Sequence, residues 1–179
     1  MNKYGEVTSP DTVRFERLLP GPIDRVWAHL VDGEKRRKWL CGGATDDSKG
    51  GRIVMEFANS KLSDQPDDPP PAKHKDAPKE VAFEGQITDF DPPHVFAHTW
   101  EYADEHSHVR YELSEADDKV LLVLTHTRLQ SPEDVLGVCG GWHAHLDLLE
   151  DVLSDRPTRP FWKTYTAYDR EYEQRLAES

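Results

Sequence analysis

Residues 137–153 read GVCGGWHAHLDLLEDVL and bring one thiol and two imidazoles, Cys139, His143 and His145, close together in the chain. Such groups can bind zinc, and a thiolate beside a base can act as a nucleophile. A buried imidazole can instead take and return a proton near neutral pH. Spacing separates these chemistries. On a helix, positions i and i+2 lie about 200° apart, so His143 and His145 point different ways. His143 shares a side with Asp147 and Glu150, which reads as the solvent side. His145 falls with Trp142, Leu146, Leu149 and Leu153 on the apolar stripe. The pair therefore does not chelate one ion. His98 alternates with Phe96 and Trp100, and His126 with Leu122 and Leu124, so both can share the inward face with His145. There is no HExxH and no ligand pair at a supporting spacing, so neither a metal nor another cofactor is expected. Cys41 and Cys139 each open a CGG triplet without a Lys or Arg placed to activate the thiol. The catalytic candidates are then His126 and His145, which burial would leave neutral and able to accept a proton. The competing reading is that these rings orient a ligand or satisfy each other.

The elements that would position these groups follow from periodicity. TVRFERLL at 12–19 is an imperfect strand ended by PGP at 20–22. Ile23, Val26, Trp27, Leu30 and Val31 follow helical spacing, and a second short helix is expected over 34–40. GRIVMEF at 51–57 starts a meander, with Ile53, Met55 and Phe57 on one face. Residues 58–80, which include PPP at 69–71, read as a long mobile hairpin loop. Strands resume at 80–90, 94–102, 108–113 and 119–129. Ser131-Pro132-Glu133-Asp134 looks like a helix start, and a long helix is expected from about Trp142, with Gly140 and Gly141 giving the chain freedom to turn into it. A last amphipathic segment carries Phe161, Tyr165, Tyr168, Tyr172 and Leu176 at helical spacing. It could pack on its own domain or on a second copy, which leaves a homodimer open.

Composition narrows the partners. The net charge of -12 opposes binding to a phosphate backbone or an anionic membrane surface. The one basic cluster, EKRRKWL at 34–40, reads as a solvated helix face. No window of about 18 uncharged apolar residues is present, so no membrane insertion is expected. The first residues lack an apolar signal core, so the expected location is the cytoplasm, with both cysteines free.

PIDRVWAHLVDGEKRRKWL at 22–40, GQITDFDPPHVFAHTW at 85–100, LLVLTHTRL at 121–129 and GWHAHLDLLEDVL at 141–153 together resemble the SRPBCC, or START-like, helix-grip superfamily. Within it the chain is most similar to the branch named for the C-terminal domain of the heat-shock protein 90 ATPase activator. The resemblance implies an α+β fold in which a curved antiparallel sheet of about six strands wraps a long C-terminal helix, with two short helices after the first strand. Residues 1–11 would be a tail, 12–156 the domain, and 157–179 a helical extension. The family's eukaryotic member carries a separate chaperone-binding domain before this fold, for which a start near residue 12 leaves no room, so chaperone binding is doubtful. The resemblance also implies an apolar pocket between sheet and helix, a common place for ligands. Alternation and the helix stripe nominate Trp39, Met55, Phe57, Phe83, Phe96, His98, Trp100, Leu122, Leu124, His126, Trp142, His145, Leu146 and Leu149 as its lining. The expected function is binding of a small apolar or amphipathic molecule. The alternatives are an enzyme of cyclase or hydrolase type using a cavity histidine, and a chaperone ATPase co-regulator.

Overall fold

Alternation along the strands and one long apolar helix dictate a sheet closed on one face, and the structure, a computed structural model, has that form. It describes residues 1–102 and 105–178. The strands are β1 (Glu6–Ser9), β2 (Thr12–Pro20), β3 (Arg52–Phe57), β4 (Val81–Asp91), β5 (Val95–Tyr102), β6 (Glu105–Ala116) and β7 (Lys119–Thr127). They form one antiparallel sheet in the order β1-β2-β7-β6-β5-β4-β3. Helices α1 (Ile23–Val31) and α2 (Gly33–Arg36) follow β2, and α3 (Pro132–Leu153) and α4 (Phe161–Ala177) follow β7. Val13, Phe15, Leu19, Phe96, Tyr111, Leu122 and Leu124 of the sheet are buried together with Leu146, Leu149 and Leu153 of α3. Among the described residues no helix is long and apolar enough to cross a membrane.

Several expectations are corrected. Residues 6–9 are a seventh, edge strand rather than tail; they pair Glu6 with Arg14 and Val7 with Val13. They are mostly exposed, so no alternation marks them. Helix α3 starts ten residues before Trp142, with the Ser131 hydroxyl accepting from the Asp134 N–H at 3.1 Å. Gly140 and Gly141 are thus helix interior, not an entry turn. An interior glycine costs about 1 kcal/mol against alanine, and packing offsets that at Gly140. A Cβ there would stand 3.4 Å from the Tyr165 ring and 3.5 Å from Asp169 Cα. The bare position lets α4 lie close on α3.

The basic cluster is not wholly solvated either, and α2 ends at Arg36 instead of reaching Leu40. Arg36 is buried and donates to the carbonyls of Leu30, Cys41, Gly42, Gly43 and Val54 and to the Thr45 hydroxyl. Its five N–H groups thus tie the turn after α2 to helix α1 and strand β3. Helix α4 packs on its own domain, burying Phe161, Tyr165 and Tyr172.

The 58–80 loop is docked rather than loose. The Ser63 hydroxyl donates to the Thr158 carbonyl at 2.6 Å. The Asp67 carboxylate accepts from the Trp162 and Lys163 N–H groups at 2.9 and 3.0 Å. Asp67 thus caps α4 from a distant part of the chain, in the first turn where helix N–H groups lack partners. Asp67→Ala is expected to cost about 1 kcal/mol, read as a lower urea midpoint at unchanged slope.

Candidate functional site

The curved sheet and the first half of α3 do not close completely on each other. An inner lobe of about 330 Å³ lies between Phe57, Phe83 and Trp100 of three neighbouring strands and the α3 residues Gly137, Gly141, Trp142 and His145. An outer lobe of about 410 Å³ continues beneath the 58–80 loop to Phe161, Trp162 and Tyr165 of α4. Phe57, Asn59, His74, Val81, Gly137, Gly141 and His145 border both lobes and form the throat between them.

The wall is a connected set of rings. Phe57 stacks on Phe83 with centroids 5.6 Å apart, Phe57 meets Trp100 at 5.4 Å, and Trp100 meets Trp142 edge-on at 5.6 Å. Offset and edge-to-face pairs of this kind fix ring orientations. Opposite them the helix is bare, for a Cβ built on Gly137 or Gly141 would find nothing within 4 Å. The two positions lie one turn apart on one face of α3.

Of the fourteen nominated residues, Phe57, Phe83, Trp100, His126, Trp142 and His145 border this cleft. Trp39, Met55, Phe96, His98, Leu122, Leu124, Leu146 and Leu149 instead lie in solid core. Alternation places them on the correct face, but α1 fills that half of the interior. Trp27 of α1 packs on Phe96 at 6.2 Å, and the Trp39 indole donates to the His29 carbonyl at 2.8 Å. Periodicity does not reveal Asn59 and His74, because both sit in single 3-10 turns, Asn59–Lys61 and Ala72–His74, too short to show a period. Gly137 and Gly141 carried a signal, an i, i+4 pair without side chains beside Trp142.

Hydrogen bonds separate the histidines. The Trp142 indole N–H donates to His126 Nδ1 at 2.9 Å, so the proton sits on Nε2, which donates to the Ser107 hydroxyl at 2.7 Å. Both nitrogens are thereby engaged, and burial lowers the His126 pKa to about 3. His145 donates from Nδ1 to the Trp39 carbonyl at 2.8 Å, leaving Nε2 as the acceptor side of a ring that borders both lobes. Burial lowers its pKa to about 4. His98 holds the Thr99 carbonyl at 2.9 Å within the core, and burial likewise takes its pKa to about 4. The Nε2 of His74 meets the Tyr165 hydroxyl at 2.9 Å, joining loop to helix across the outer lobe.

His143 corrects the expectation of a solvent-facing ring. It is 1% exposed, bonds the Tyr172 hydroxyl at 2.9 Å and stacks on Tyr168 at 3.6 Å. The side of α3 that holds Asp147 is covered by α4 and by Tyr4, whose ring lies 4.9 Å from His143. Burial, with Arg17 beside it, brings the His143 pKa to about 3. The thiols are buried as well, and burial pushes Cys41 up to about 11 and Cys139 up to about 12, so neither is a ready nucleophile. Among the described residues no three His, Cys, Asp or Glu side chains converge as a metal site.

The seven-stranded sheet gripping a long helix defines a helix-grip protein. Residues 20–154 match the family model described as Activator of Hsp90 ATPase homolog 1-like protein, and the chain belongs to that family. It is similar over nearly its whole length to the solution structure of the protein encoded by gene BPP1335 from Bordetella parapertussis. That similarity is 40% identity with a TM-score of 0.79, covering 98% of this chain and 91% of that one. CalU16 from Micromonospora echinospora shares the fold at 21% identity and a TM-score of 0.67, over 94% of this chain and 88% of its own. EF2215 from Enterococcus faecalis, described as a conserved protein of unknown function, does so at 15% identity and a TM-score of 0.67, over 95% and 88%. No curated protein matches the chain.

Four of the five buried histidines have a consequence for stability. His98, His126, His143 and His145 titrate near 3 to 4 in the folded chain, against 6.5 ordinarily. Between pH 6.5 and 4 the unfolded chain takes up protons that the folded chain refuses. Stability is therefore full above that window and falls as pH drops through it, by up to about 1.4 kcal/mol per pH unit for each ring. The urea midpoint should drop steeply from pH 7 to pH 5, and His143→Gln should make that drop shallower by one proton's worth.

Proposed function

We propose that the protein binds a small, largely aromatic molecule in the cleft between the β3–β5 wall and α3. The observation that carries this is the inner lobe, where a continuous wall of aromatic rings faces helix backbone stripped of side chains at Gly137 and Gly141. An apolar concavity with a few oriented polar groups is the usual form of a small-molecule site. Solid core needs no such space, and leucine or alanine at the two glycines would have suited the helix better. The chaperone in the family's description reaches this chain by kinship alone, whereas the cleft is built from its own residues.

The test uses the uncharged fluorescent probe N-phenyl-1-naphthylamine. Saturable one-to-one binding is expected. Gly141→Leu, which fills the throat, should weaken it by about tenfold or more, a loss of about 1.4 kcal/mol. Because leucine is the better helix former, the melting temperature of that variant should hold or rise. Unchanged probe affinity in the variant would refute the cleft as the site.

One observation favours enzymatic use of the same cleft. His145 is the cleft imidazole whose tautomer is set by a backbone carbonyl while Nε2 keeps its lone pair. His126, the other candidate, has both nitrogens engaged. Under this second reading His145→Gln lowers kcat on the bound molecule by about 100-fold with little change in probe affinity, measured by steady-state turnover beside a fluorescence titration.

A further inference from the structure

The polar groups around the cleft say more about its occupant. At the throat, the His145 ring, which borders both lobes, keeps an acceptor at Nε2, a partner for a ligand O–H or N–H donor. The geometry above Gly137 and Gly141 suits a flat group, since a ring can rest on bare helix at about 3.5–4.0 Å.

Charge distinguishes the far end. The chain has 34 acidic and 22 basic residues. Even so, the outer lobe is bordered by Lys75 and Lys79 and by no carboxylate. The Lys75 ammonium stands 4.0 Å from the Asp76 carboxylate, an exposed pair of little strength. In so acidic a protein, two lysines at the border of a cavity favour an anionic group there.

We infer that the cleft takes an amphipathic aromatic acid, with its planar ring in the inner lobe and its anionic group beside Lys75 and Lys79. This rests on the ligand-binding reading above and specifies the chemistry of that site.

Two probes that share one ring system separate the parts. 8-Anilinonaphthalene-1-sulfonate carries an N–H donor and an anion, and N-phenyl-1-naphthylamine carries the donor alone. The double variant Lys75→Gln/Lys79→Gln should weaken the sulfonate about tenfold and leave the uncharged probe within about twofold. If the lysine variant leaves the sulfonate unchanged, or weakens both probes equally, the anion site is wrong. That failure, with Gly141→Leu still excluding the uncharged probe, overturns this ligand chemistry and leaves the cleft standing. Retained binding in Gly141→Leu overturns the cleft itself.

Discussion

Helix α3 is covered on both sides, and the acids on its second side must be satisfied from within the fold. Asp147 and Asp151 are 2% and 3% exposed. Arg159, in the connection to α4, donates to Asp147 at 2.8 Å and to both Asp151 oxygens at 2.8 Å. The Tyr168 hydroxyl adds a bond to Asp147 at 2.7 Å, and Arg156 adds two to Asp151. Removing Arg159, whose own side chain is more than a third exposed, would leave two buried carboxylates short of donors, which is destabilising. The Arg159 contacts therefore fix where α4 begins. Helix α4 in turn holds the 58–80 loop through Asp67 and Tyr165, and that loop roofs the outer lobe. The cleft depends on this sequence of contacts although none of the carboxylates borders it.

The three glycines of α3 divide the remaining work. Gly140 faces α4 and allows close approach, while Gly137 and Gly141 face the cleft and leave it open. One segment thus lowers its own helix propensity for two different reasons. Tertiary burial, rather than intrinsic preference, carries a helix in such a place. The same segment supplies Trp142, which fixes the His126 tautomer and removes that ring from acid–base work.

Much of this was legible in the sequence. Alternation over 94–102 and 119–129 gave the sheet and its inner face, and the series of four motifs gave the fold. Ser131 was readable as a helix start, but the glycines at 137, 140 and 141 masked the ten residues that follow, because glycine reads as a breaker wherever packing is invisible. His143 was misplaced for a related reason. Asp147 and Glu150 mark a solvent side only if no other element lies there, and coverage by α4 and residues 3–5 is a long-range fact. Which half of an apolar face encloses space and which half is solid is also decided at long range, here by Trp27 and Trp39 filling the α1 end. Prolines over 58–80 marked the segment as a loop, yet it carries two 3-10 turns, Asn59–Lys61 and Ala72–His74, and is docked through Asp67 and Ser63.

The match to the family model spans 20–154, which includes most of the sheet, α1, α3, the aromatic wall and the 58–80 loop that roofs the outer lobe, and the similarity to solved structures extends into α4 as well. A fold common to many functions is specialised by the side chains that close its cavity. In this chain those of the outer lobe come from a helix capped by the loop it supports. The shape of the outer lobe and the register of Asn59 and His74 at the throat accordingly depend on α4 as much as on the sheet and α3.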